Sequence, residues 1–265
     1  MLARSKAGAV RHICLPGELT DKVNPPELRE RYTDGLLDPV RLSRVALDQS
    51  RQELGSYGYA SQILQDPVPL GGGMFKVDKL NLFDECTRRL TDIVRSWDKA
   101  GTKDAGAYSV GALLGKDTAN QTWILDVKRD QLAAADREQL IAKTADEDEA
   151  FVASLTTATH APRFTTLLEV EGGSGGKESG ENTVANLAGH RVVTQHPTGD
   201  KESRAYPFAS QVGGGTVNVL KRHWTRDYVE ELRFFPHSKY KDQVDASGQG
   251  FNWLSKKRLV VGGLR

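Results

Sequence analysis

Three groups of carboxylates stand where a strand or a helix should end. Asp98 closes an alternating apolar segment, and Glu169, with Glu171 two residues on, closes another just before a run of glycines. Asp242 and Asp245 lie about one helical turn apart near the start of a late helix. A strand period of two puts Glu169 and Glu171 on one face, and a helical spacing of three does the same for Asp242 and Asp245. Acids converging from several elements are what a phosphodiester hydrolase uses to hold two Mg²⁺ or Mn²⁺ ions about 3.5–4 Å apart. Taken singly, each acid fits a solvated strand end or a helix cap, the commoner fate of such residues.

Other chemistry-bearing residues read as structural. Asp126 sits mid-strand in WILDVKRD beside Lys128 and Arg129, and the block DEDE at 146–149 reads as a solvated charge run on a helix end or loop. The stretch EGGSGGK, ending at Lys177, fails the Walker pattern, which needs a glycine in place of Glu171 and a Ser or Thr in place of Glu178. It is instead a flexible turn, either approaching a phosphodiester backbone or without a ligand. His190, His196, His223 and His237 lack metal-ligand spacing and read as surface or DNA-adjacent groups, while the four tryptophans read mostly as core. Cys14 and Cys86 cannot build a four-ligand zinc site and are expected to be reduced thiols of a cytosolic protein.

The elements that must position the acids follow an α/β order with a mixed sheet. Residues 91–98, 107–115 and 122–127 read as a three-strand meander, followed by a helix over 131–145 and a strand over 164–170. A glycine-rich turn at 172–176 leads into a weak helix ending near residue 189. Beyond it come a strand at 191–195, a helix at 201–211, a strand at 216–220 and helices at 226–235 and 241–254. The first eighty residues are rich in proline and glycine, with one helix expected over 39–55 and Asp38 as its N-cap. They read as a lead-in segment (1–80) to the main domain (81–265).

Composition excludes several classes. With 265 residues, 38% hydrophobic and 27% charged, the chain can bury a sizeable core. No apolar run approaches the ~20 residues needed to cross a bilayer, and the N-terminus lacks a signal peptide's apolar stretch. Thirty-six basic against 35 acidic residues leave a net charge of +1, so any nucleic acid must be gripped by a local patch. Lys177, Lys201, Arg204, Lys221, Arg222 and Lys241, on or beside loops flanking the acids, are the candidates for phosphate contacts, although scattered lysines solvate any surface.

In this order, RSWD (95–98), AYSVGALLGKDTANQTWILDVKRDQL (107–132), LLEVEGGSGGKESG (167–180), TGDKESRAYPFASQVGGGTVNVL (198–220) and KYKDQVDASGQGFN (239–252) resemble the C-terminal nuclease domain of a bacteriophage large terminase. The resemblance spans about residues 90–254, and ELGSYGYASQILQDPVPLGGGMFK (53–76) resembles the segment that joins that nuclease to its packaging ATPase. It implies an RNase H-like fold and a metal-dependent endonuclease that cuts concatemeric viral DNA using two divalent ions, Mg²⁺ or Mn²⁺. By the same resemblance Asp98 is the first-strand ligand bridging both ions, Glu169 the fourth-strand acid and Asp242 the late-helix acid. Glu171 and Asp245 are second choices in register. Where the family often carries an acid pair before QVDA, this chain has Lys241-Asp242, so only the second member can serve.

Further implications are double-stranded DNA as substrate, a small terminase subunit and a portal as partners, and a place in the host cytoplasm and transiently at the procapsid portal. A membrane is not implied. No Walker A loop occurs, so the ATPase is expected to be absent from this chain, Met1 to begin an excised domain, and the chain's beginning to be poorly packed. Two other readings remain open: a non-cutting DNA-gripping or motor-docking module, and a resolvase-like nuclease of the same fold.

Overall fold

The computed structural model describes residues 12–66, 73–100, 108–170 and 172–256, and its contacts divide the chain into two units, Met1–Gly71 and Gly72–Arg265. Residues 73–80 thus fall with the second unit, where Phe75 and Val77 enter the core.

In the first unit a short 3₁₀ turn (Pro26–Arg31) precedes one long helix, α1 (Arg44–Gln62). The sequence places this helix at 39–55, capped by Asp38. Asp38 instead closes a separate turn, its Oδ1 accepting from the N–H groups of Val40 (3.1 Å) and Arg41 (3.0 Å). Ser43 takes the cap, its Oγ accepting from Ala46 N at 3.3 Å. Leu36, Leu47 and Tyr59 form a small core here, so residues 12–66 are better packed than their loop-rich sequence suggests. Residues 1–11, on which the expectation of a poorly packed beginning also falls, lie outside the described residues.

The second unit is a seven-stranded mixed sheet flanked by helices. In chain order its elements are β1 (Asn81–Phe83), β2 (Leu90–Asp98), β3 (Ser109–Asp117), β4 (Thr122–Asp130), α2 (Ala134–Leu155), β5 (Arg163–Glu169), α3 (Ser174–Asn186), β6 (Val192–Gln195), α4 (Lys201–Gly213), β7 (Val217–Leu220), α5 (Thr225–Phe234) and α6 (Asp242–Ser255). The strand order is β1-β7-β4-β3-β2-β5-β6. Strands β2, β3 and β4 form the expected antiparallel meander, whereas β5 and β6 add in parallel to β2, and β7 and β1 in parallel to β4. The edge strand β1, only three residues long, has no counterpart in the sequence reading, since so short a run carries too little alternation to stand out.

Strand alternation sends side chains to two different cores. Val94, Ala112, Leu114 and Leu167 pack with Phe208 and Val212 of α4, Leu232 of α5 and Val244 and Phe251 of α6. Trp97 and Leu168, of opposite parity, pack on the other face with Ile141 and Ala145 of α2 and with Leu187. Ser96 shares the first face and donates to Gln249 Oε1 of α6 at 2.7 Å. Asp98, two residues on, therefore emerges on the α4/α6 face at the end of β2. α6 lies close to the sheet because residue 250 is glycine: a Cβ there would stand 2.9 Å from Leu114 and 3.2 Å from Ser96.

The reading of DEDE as a solvated block holds for Asp146, Glu147 and Glu149, which are exposed, and fails at Asp148. α2 runs straight through 146–149, ten residues past its expected end at 145, and turns Asp148 toward the sheet. There the buried Arg95 donates Nε and a terminal nitrogen to the two Asp148 oxygens, both at 2.7 Å, and further hydrogen bonds to Gly111 O (2.9 Å) and Asp126 Oδ2 (3.0 Å). A guanidinium beneath a helix selects the one acid of the block that faces inward, and Asp126 is structural, as its mid-strand position suggests.

Candidate active site

Three elements bring the acids together. β2 and β5 are parallel neighbours in register at Trp97–Leu168, so Asp98 and Glu169 follow side by side at the strand ends. Glu169 shares parity with Leu167 and thus points to the same α4/α6 face as Asp98. α6 begins beside them and contributes Asp242 and Asp245 from its first turn.

That first turn is held from α5 by Glu231, which the sequence does not single out. Glu231 Oε1 accepts from the N–H groups of Gln243 (2.7 Å) and Val244 (3.0 Å), and Oε2 accepts from Gln243 Nε2 at 2.7 Å. Burial pushes its carboxyl above the usual range despite these donors. Glu231 thereby satisfies N–H groups that a helix start leaves unpaired, from twelve residues upstream, a distance at which no capping pattern is recognisable.

The two α6 acids differ in surroundings. Asp242 accepts a hydrogen bond from Tyr108 N at 3.0 Å. Asp245 is buried, contacts the Lys201 ammonium, and lies 3.7 Å from Arg204. Arg204 also donates to both Glu169 oxygens at 3.2 Å, so a single guanidinium links acids from β5 and α6. Its position is fixed in turn by Asn252 Nδ2, which donates to Arg204 O at 2.9 Å. Both cations come from the first turn of α4, which is capped by Asp200: Oδ1 accepts from Ser203 N at 2.7 Å.

Electrostatics mark the cluster. Burial, then the charge of Asp245, with smaller contributions from Glu169 and Asp242, push Asp98 up to about 8, against the opposing charge of Lys201. Asp245 is also raised, by burial and by Asp242, with Lys201 and Arg204 opposing. Burial works against the charge on Lys201, but its hydrogen bond to Asp245 and the charges of Asp245, Asp98 and Asp242 raise it above the usual lysine range. Asp245 is therefore the stronger electrostatic neighbour of Asp98, and Asp242 the weaker.

On the other side of the strand ends, a cleft of about 230 Å³ is lined by Asp98, Lys99, Ala100, Arg137, Glu169, Gly175, Gly176 and Ser179. The glycine-rich stretch forms one wall, although it is not a turn as far as residue 176. Gly173 has a φ of +92° and α3 starts at Ser174, so Gly175, Gly176 and Lys177 belong to a helical first turn. Lys99 reaches across, donating to Ser179 O (3.1 Å), Ser179 Oγ (3.0 Å) and Thr183 Oγ1 (2.9 Å), and Arg137 donates to Ala100 O at 2.6 Å. Neither residue was marked by the sequence, because nothing local ties them to the acids.

The expected DNA contacts are dispersed. Lys201 and Arg204 turn inward to the acids. Lys241, just before α6, lines a second cleft of about 400 Å³ with Asp200, Lys201 and Phe235. Lys177 is exposed and stands 3.9 Å from Glu181. Lys221 and Arg222 follow β7, three strands from β2, where they bond Asp84. Glu171 lies outside the described residues. Of the histidines, His190 contacts Glu149 at 2.8 Å and His196 contacts Val170 O at 3.0 Å.

The donor set suits a hard divalent cation. All four acids offer oxygen, burial and then their mutual repulsion raise Asp98, and positive charge already stands among them as the Lys201 ammonium. Among the described residues, no three His, Cys, Asp or Glu side chains form a ready-made metal cage. Cys14 and Cys86 are free thiols, and no described helix is long and apolar enough to cross a membrane.

No family model and no curated protein sequence matches the chain. Solved structures do resemble it. A manganese-soaked terminase nuclease domain of human cytomegalovirus aligns with a TM-score of 0.50 and 14% identity, over 69% of this chain and 93% of that one. The magnesium-bound large terminase nuclease of thermophilic phage G20c aligns at 0.49 and 16% identity, over 69% and 98%. The mixed sheet flanked by helices in the second unit is the RNase H-like fold expected from the sequence, and the cytomegalovirus domain shares it.

Proposed function

We propose that this chain is the nuclease domain of a viral genome-packaging large terminase, an endonuclease that hydrolyses phosphodiester bonds of double-stranded DNA with two divalent ions. The observation that carries the reading is the convergence of Asp98, Glu169, Asp242 and Asp245 on one face, at the C-terminal ends of two parallel strands and the start of α6, within this fold. Asp98, Glu169 and Asp245 or Asp242 would hold the ions, with Asp98 carrying the charges of the other acids around it. Bound there, Mg²⁺ or Mn²⁺ supplies Lewis acidity toward the scissile phosphate and lowers the pKa of a bound water. The chain's own residues do the positioning: Glu231 holds the first turn of α6, Tyr108 N orients Asp242, and Arg204 orients Glu169 toward Asp245.

In this reading residues 1–71 lead in from a packaging ATPase domain, and a small terminase subunit and the portal are the partners that direct the cut. Lys241 and the exposed Lys177 would supply phosphate contacts beside the acids.

Incubation with supercoiled plasmid tests the activity. Nicked and linear DNA should form with Mn²⁺ or Mg²⁺ and not in EDTA, and Asp98→Asn should be folded but inactive. Equal cutting in EDTA, or full activity in Asp98→Asn, would refute the assignment.

A further inference from the structure

Lys201 and Arg204 do not stand where simple phosphate-gripping residues would. Both come from the first turn of α4, one turn apart, and both pair with the acids. Arg204 is largely buried, its side chain 21% exposed, and is fixed through its backbone by Asn252. Lys201 differs: its side chain is 50% exposed although its ammonium rests on a carboxylate that is only 3% exposed. A long, flexible side chain is laid over a buried acid from a helix start, with half of its own surface still exposed to solvent.

We propose that Lys201 is an internal counter-cation that competes with a divalent ion for Asp245, so that the α6 side of the cluster accepts its ion only when the ammonium swings away. The proposal rests on the nuclease reading and concerns how that site is loaded. Asp245 would otherwise be a buried carboxylate beside Asp98 and Asp242, a costly arrangement that one mobile cation relieves. An ammonium is a point charge on a four-carbon stem, and it can leave Asp245 for the phosphate of an arriving nucleic acid without disturbing the backbone. Arg204, planar, mostly buried and bonded to both Glu169 oxygens, stays behind and keeps Glu169 linked to Asp245 through one guanidinium. Lys201 therefore ties loading of that ion to the presence of phosphate, and Arg204 acts as a positioning residue.

The test is calorimetric titration of the full chain with Mn²⁺, without DNA, for wild type, Lys201→Met and Lys201→Arg. Methionine keeps the stem and removes the charge, so Lys201→Met should bind Mn²⁺ about tenfold or more tightly, the expected order for deleting one competing charge at a partly buried carboxylate. Lys201→Arg should bind like wild type, and the gain should vanish in Lys201→Met/Asp245→Asn. Equal Mn²⁺ affinity in wild type and Lys201→Met, with both binding, overturns the proposal while leaving the metal site intact. If neither binds Mn²⁺, the metal-dependent reading falls and the proposal with it. Circular dichroism of each variant establishes that a loss of binding is not a loss of fold.

Discussion

Replacing Asp98 by Asn should make the metal-free protein more stable in alkaline solution, and the effect should grow with pH. The carboxyl is pushed from 3.8 up to about 8 by burial and by Asp245, Glu169 and Asp242. Below about pH 4 it is protonated in both folded and unfolded chains and costs nothing. Between about pH 4 and 8 the unfolded chain gives up the proton while the folded one keeps it, so stability falls as pH rises and levels off above about 8. At about 1.4 kcal/mol per pH unit the loss has a ceiling of roughly 6 kcal/mol. The acids share their protons and Lys201 shields them, so the expected difference is smaller. We expect the stability gap between Asp98→Asn and wild type to widen by about 2–3 kcal/mol from pH 5 to pH 9, or roughly 4–10 °C in Tm for a protein of this size. Thermal and urea unfolding in EDTA across this range measures it. A gap that stays constant with pH, or a variant less stable than wild type at pH 9, would show that Asp98 is not a strained member of an acid cluster.

Other perturbations follow from buried polar contacts. Asp148→Ala leaves Arg95 buried with most of its pairing gone, and should cost about 3–5 kcal/mol in urea unfolding, with part recovered by adding Arg95→Met. A cost under about 1 kcal/mol would mean that Arg95 finds water. Glu231→Ala removes the acceptor for two N–H groups at the start of α6 and should cost about 1–3 kcal/mol. It should also raise the Mn²⁺ concentration needed for half-maximal plasmid cutting, because Asp242 and Asp245 ride on that turn. An unchanged Mn²⁺ requirement would separate the turn from the site.

The acids at element ends were legible because both periodicities are local. Two residues per strand repeat and 3.6 per helical turn place Asp98, Glu169, Asp242 and Asp245 on definite faces before any fold is assembled. For the same reason the meander, β5 and the late helices fall within a few residues of their expected bounds. What lay beyond the sequence depends on contacts between residues far apart in the chain. Asp148 reads as one of four solvated acids until Arg95, 53 residues earlier, is placed beneath it. Glu231 becomes a helix cap only once α5 and α6 pack. Lys201 and Arg204, picked out as a DNA rim from charge and loop position, pair with the acids because α4 packs on α6 with its start beside Glu169 and Asp245. Charge and spacing indicate which residues can hold an ion. Which carboxylate faces which cation is decided by packing, because the balance of desolvation and pairing exists only once the groups share a low-dielectric interior.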